Sequence, residues 1–133
     1  YGISPYKNGV WEDLISIEGL EKMIFKQMSK NLSPKELYHL ALDNNAQALN
    51  IWNLFGKELG LFTSHVINML DPSVISFGGG ISNAYSVFSE SLKNQVKIYS
   101  PSYEYNKITI TSSKTQLDST HVGSALNALK LIF

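Results

Sequence analysis

Between Ala46 and Leu70 the chain carries one long helical pattern, halted by Asp71-Pro72 and followed at once by Ser73-Val74-Ile75-Ser76-Phe77 and three glycines. The residue before a proline is pushed out of the α region, so the helix must stop there. The short, partly β-branched run that follows reads as a buried strand. Gly78-Gly79-Gly80 then forces a tight turn, because only glycine enters the strained backbone regions freely. In the helix, Ala48, Ile51, Trp52, Phe55, Leu59, Phe62, Val66 and Leu70 share one face over roughly 37 Å, at about 1.5 Å per residue. A chain built this way needs a sheet to receive the strand and further helices to cover the spine.

The rest of the sequence supplies them. Residues 1–8 show no periodicity and read as irregular, whereas from Asp13 to about Lys30 the positions Leu14, Ile17, Leu20, Ile24 and Met28 recur at helical spacing, with Gly19 as a weak point. Ser33-Pro34-Lys35-Glu36 is a capping-box pattern with Pro at the first helical position, predicting a short helix to about Leu42. Gly56 and Gly60 fall one turn apart on the long helix, where each costs about 1 kcal/mol relative to Ala, and this makes sense if another backbone crosses there. Beyond the glycine turn, Ser82 or Asn83 can cap a helix that turns Ala84, Val87, Phe88, Leu92 and Val96 inward. Pro101 and a Tyr-rich loop lead to the alternating strand Lys107 to Thr111. Strand, helix, strand in this order predicts parallel pairing with a right-handed crossover. Asp118, Ser119 and Thr120 offer caps for a closing helix with Val122, Ala125, Leu126, Leu129 and Ile132 inward.

Composition removes several function classes. The 133 residues are 44% apolar, enough for one compact core. Every one of the eleven basic residues is Lys, they balance eleven acids, and nothing resembles a surface that tracks phosphates along DNA or RNA. The absence of Cys removes disulfides and thiolate zinc sites, and His39, His65 and His121 are too scattered for a local metal motif. No apolar stretch reaches a bilayer span, and the 133 residues contain no basic-then-apolar leader. The expectation is a soluble, cytoplasmic piece of something longer, with no membrane partner.

The glycine turn is the place for chemistry. A strand ending in bare backbone ahead of a helix lets a ligand approach main-chain N–H groups closely, which suits phosphate, ribose or adenine. The alternative is a sharp turn between packed elements and nothing more. A dinucleotide site is the rival, but Asn83 stands where the third glycine of G-x-G-x-x-G belongs, and the strand Lys107 to Thr111 runs into Ser and Thr instead of an acid.

The run Leu70-Asp71-Pro72-Ser73-Val74-Ile75-Ser76-Phe77-Gly78-Gly79-Gly80-Ile81-Ser82-Asn83-Ala84 closely resembles a stretch of the ROK family (repressors, open reading frames, kinases) in which Gly-Gly-Gly contacts the adenosine part of ATP. Ala41 to Ala48, Gly60-Leu61 and Asp118 to Ala128 resemble further family segments in order and spacing. Ile3 to Glu12 resembles the family's zinc motif, Cys-x-Cys-Gly-x-x-Gly-Cys-x-Glu, keeping its last Gly and Glu as Gly9 and Glu12 but with Ile3, Pro5 and Val10 at the Cys positions.

The resemblance implies an α/β fold, the C-terminal lobe portion of an actin-like (ribonuclease H-like) sugar kinase. Residues 1–12 would be the remnant of the zinc region, 13–70 a helical segment, and 71–133 a strand, glycine turn, helix, strand and helix. It implies ATP with Mg as phosphoryl donor, with Gly78, Gly79, Gly80 and Ser82 at the nucleotide, and no zinc. Glu12 would accept a hydrogen bond from a sugar hydroxyl, a role to which an ionised carboxylate is suited. Read without the resemblance, Glu12 is an acid in the first turn of a helix, complementing its dipole. The family's two phosphate loops and its catalytic Asp have no counterpart in these residues, so this segment alone is expected to be inactive and to need an N-terminal lobe. The implied parent is a glucokinase-like hexose kinase, with homodimers common in the family. The alternatives are a sugar-sensing regulator, or a non-catalytic dimerisation module in which Trp52, Phe55 and Phe62 face a second subunit.

Overall fold

The computed structural model describes residues 5–6, 9–10, 17–112 and 128–132. Pro5–Tyr6 (β1) and Gly9–Val10 (β2) pair antiparallel, with Pro5 opposite Val10 and Tyr6 opposite Gly9. The irregular segment expected there thus contains a small hairpin.

Three helices follow: α1 (Ile17–Met28), α2 (Pro34–Leu42) and α3 (Ala46–Leu70). α1 runs through Gly19 without a break. α2 starts on a complete capping box, in which the Ser33 hydroxyl accepts from the Glu36 N–H at 3.1 Å and the Glu36 carboxylate accepts from the Ser33 N–H at 3.1 Å. Asn45 caps α3 by accepting from the Ala48 N–H at 3.0 Å. At its other end Asp71 is left-handed (φ 44°) instead of extended, held by its N–H donating to the Ile67 carbonyl and its carboxylate accepting from Asn106.

The sheet lies beyond Pro72. Val74–Gly78 (β3) is its central strand, flanked by Thr109–Ser112 (β4) on one side and Ala128–Ile132 (β5) on the other, both parallel to it. Between β3 and β4 come a 3-10 turn (Gly80–Ala84), α4 (Tyr85–Tyr99) and the one-turn α5 (Ser102–Tyr105). β5 corrects only the end of the expected closing helix: residues 128–132 are a strand, whereas residues 113–127, with the expected caps Asp118, Ser119 and Thr120 and with Val122, Ala125 and Leu126, lie outside the described residues. A short apolar run satisfies helix and strand spacing alike, and here pairing with the open edge of β3 decides.

The core is the seam between α3, α4 and β3. Trp52, Phe55, Phe77 and Phe88 are fully buried, Trp52 stacks on Phe88 at 5.9 Å, and Phe55 and Tyr85 meet Phe88 edge-on at 5.6 Å. Trp52, Phe55 and Phe62 therefore serve the chain's own core, which removes them as the surface for a second subunit. Gly56 and Gly60 are where α4 crosses α3. A Cβ at Gly56 would lie 2.7 Å from the Phe88 carbonyl oxygen, and one at Gly60 would lie 2.6 Å from that of Leu92. The Ser91 hydroxyl closes the crossing by donating to the Asn53 carbonyl at 2.6 Å.

Candidate functional site at the glycine turn

β3 ends in Gly78, which pairs with Ile132 and is buried. Gly79 follows with φ 85° and ψ −169°, a conformation that a residue with a Cβ enters only under strain. Its carbonyl accepts both the Ser82 N–H at 3.2 Å and the Ser82 hydroxyl at 2.7 Å. The Asn83 amide donates to the Gly80 carbonyl at 3.1 Å. Ser82 and Asn83 were expected to cap the following helix. Instead both donate back into the turn, and α4 begins after Ala84 with no side-chain cap.

Against this turn lies the start of α2. Pro34, Lys35, Tyr38 and His39 on one side and Gly80, Ile81, Asn83 and Ala84 on the other enclose a cleft of about 390 Å³. That is within the size range of small-ligand sites. Lys35, Tyr38 and His39 are three and four residues apart, which places them on one helical face. Of the residues assigned from sequence to the nucleotide, Gly80 lines the cleft, Gly79 shapes the turn, Gly78 anchors it to the sheet, and Ser82 is buried with its hydroxyl engaged on Gly79. Glu12 lies outside the described residues.

Gly80 is informative because the described residues leave room there. Among the described residues a Cβ would meet only Ile17 Cδ1, at 3.8 Å, an ordinary contact, and the backbone is not left-handed. Gly56 and Gly60 are dictated by packing and Gly79 by its dihedral, whereas no contact among the described residues requires glycine at position 80. Among the described residues the cleft is lined by Lys35 and His39 beside Tyr38, and by no carboxylate. Sequence reasoning missed the α2 half entirely, since some forty residues separate it from the glycines.

A second, shallower groove of about 440 Å³ runs along the outer α3–α4 seam, lined by Asn50, Asn53, Glu90 and Asn94 among others. Tyr85 closes the sheet side of the glycine turn. Its hydroxyl donates to the Ile110 carbonyl at 3.1 Å, and its pKa is pushed up to about 12 by burial and, secondarily, by the neighbouring Tyr103. Burial, with Glu104 second, also raises Tyr103.

The fit to zinc can be tested on the hairpin. Its register places Pro5 directly across from Val10, two of the three positions where the zinc motif has Cys, and neither side chain can ligate a metal. The chain has no Cys, and among the described residues no group of three His, Asp or Glu could hold a metal ion. The residues present do not fit the zinc site. No helix among the described residues is long and apolar enough to cross a membrane.

The model of the ROK family matches residues 5–130. The chain belongs to the ROK family. Among curated relatives, the N-acetyl-D-glucosamine kinase of Haemophilus influenzae (strain 86-028NP) is 29% identical over 72 residues, covering 54% of this chain and 24% of the relative. Among solved structures, a putative sugar kinase from Cytophaga hutchinsonii ATCC 33406 superposes with a TM-score of 0.77 at 25% identity, covering 93% of this chain and 46% of that one. A ROK family transcriptional regulator, a homologue of the E. coli MLC protein, superposes with a TM-score of 0.70 at 19% identity, over 84% of this chain and 33% of its own. The chain thus spans about a quarter of the curated relative's length and less than half of either solved structure. The fold class is the α/β, actin-like one of ROK sugar kinases, helix-rich around a small parallel sheet.

Proposed function

We propose that this chain forms the nucleotide-binding wall of an ATP-dependent hexose kinase. The observation that carries the reading is Gly80, a glycine that neither its dihedral nor any contact among the described residues requires, exposed at the rim of a cleft that Lys35 and His39 also line. In this reading a bound nucleotide takes the place of the missing side chain. In this reading Gly78 fixes the turn to the sheet, Gly79 supplies the left-handed corner, Ser82 locks that corner through the Gly79 carbonyl, and the adenosine lies over Gly80. Mg bound with ATP supplies charge neutralisation to the phosphates. This wall holds and orients the donor so that the γ-phosphoryl meets a sugar hydroxyl in line. Glu12 is proposed as acceptor for a sugar hydroxyl. Kinship with an N-acetyl-D-glucosamine kinase favours an N-acetylhexosamine or hexose as substrate. The sugar, the partner lobe and a homodimeric state belong to the whole protein in this proposal.

The test is ADP release by the full-length protein with Mg·ATP and glucose, N-acetylglucosamine, N-acetylmannosamine or fructose, compared with Gly80→Ala. The reading expects release dependent on one of these sugars, and a KM for ATP raised about tenfold in the variant by an intruding methyl group, with an unchanged unfolding midpoint. ADP release from no sugar would reject the kinase and leave a sugar-sensing regulator.

A further inference from the structure

We infer that Asn83 reads the nucleobase, selecting adenine by its 6-amino group, while Tyr38 of α2 forms the wall against which the base lies. This rests on the reading of the cleft as a nucleotide site and goes beyond it by assigning a base-selecting residue and a second element.

The argument begins with what holds Asn83. Its side-chain nitrogen donates to the Gly80 carbonyl at 3.1 Å, which fixes the amide on the rim of the cleft it lines. With the nitrogen committed to the turn, the group left over is the side-chain carbonyl oxygen, an acceptor with no partner among the described residues. An acceptor held in place favours a ligand edge that carries a donor. The 6-position of adenine is an amine and donates, whereas hypoxanthine and guanine carry an oxygen there, which would face the Asn83 carbonyl as a second acceptor. Where the bound base shields this edge from water, two facing acceptors are left unpaired, which disfavours the 6-oxo analogue.

The remaining lining suits a base better than a sugar. Pro34, Tyr38, Ile81 and Ala84 make most of the wall apolar or aromatic, which favours a flat ring. A sugar presents several hydroxyl donors and calls for several acceptors, and among the described residues that line this cleft there is no carboxylate to meet them.

The experiment is calorimetric titration of the full-length protein with Mg·ATP and with Mg·ITP, whose bases differ at the 6-position and the adjoining ring nitrogen. The wild type is expected to bind ATP about tenfold more tightly than ITP. In Asn83→Ala the two affinities converge, because the acceptor is gone. In Tyr38→Ala both fall together by about tenfold and their ratio is kept, because a wall has lost its face without loss of the reading group. Asn83 is exposed, so its replacement leaves the core intact, and the unfolding midpoint of each variant checks this. Equal binding of ATP and ITP by the wild type, a ratio that survives Asn83→Ala, or a Tyr38→Ala variant with unaltered affinities would overturn the inference while leaving a nucleotide site at the glycine turn. Failure of both nucleotides to bind would overturn that reading together with this one.

Discussion

Tyr85 shows how one residue ties the core to the sheet beneath the glycine turn. It stacks on Phe77 at 6.4 Å, meets Phe88 edge-on and hydrogen-bonds to the carbonyl of Ile110 in β4. The neutral phenol is what the fold accommodates, and its pKa rises to about 12. Above about pH 10 an unfolded tyrosine releases its proton while the folded one keeps it. The unfolded state then binds fewer protons, so the stability this residue contributes is complete below about pH 10 and is lost as pH climbs toward 12. In Tyr85→Phe the urea midpoint should therefore decline less steeply across this interval than in the wild type. Equal slopes would show that the buried phenol is not the group responsible. At this same scale, the demand for glycine at position 79 was legible, because a strand followed by three glycines requires a corner. The direction of Ser82 and Asn83 was not legible. Either can cap a helix, and the choice to donate backwards depends on where the 3-10 turn places the Gly79 and Gly80 carbonyls.

At the scale of elements, the crossing of α3 and α4 follows from Gly56 and Gly60, whose spacing alone announced a close approach. Replacing glycine by alanine inside a helix ordinarily gains up to about 1 kcal/mol. Here the added methyl would sit 2.7 Å from the Phe88 carbonyl oxygen, which is backbone and cannot swing aside. Overpacking of this kind costs about 1–3 kcal/mol and outweighs the propensity gain. Gly56→Ala should thus destabilise the chain by about that amount in urea unfolding, with Gly60→Ala behaving alike; a stabilised variant would show that the helices stand further apart. The capping box of α2 and the stop at Pro72 were readable because each is local chemistry. β5 was not. Leu129 and Ile132 continue the helical spacing that begins at Val122, and only the vacant edge of β3, a tertiary feature, makes residues 128–132 extend. The β1–β2 hairpin was obscured for a different reason, since strands of two residues are too short to show an alternation.

For the molecule as a whole, the order of helices, strand, glycine turn, helix and strand was visible in the sequence, and with it the resemblance to the ROK family that the family match bears out. What stayed hidden was the cleft. Lys35, Tyr38 and His39 look like ordinary residues of an amphipathic helix, and they join the turn only because α2 and the 3-10 turn pack together beside the α3–α4 seam. The central claim is that this cleft receives a nucleotide. It is tested most directly by hydrogen exchange of the full-length protein, followed by mass spectrometry with and without Mg·ATP. The account predicts slowed exchange in peptides covering residues 34–39 and 78–84 together, with the outer α3–α4 groove around Asn50 and Asn94 unchanged. Protection elsewhere with none at the glycine turn would contradict it.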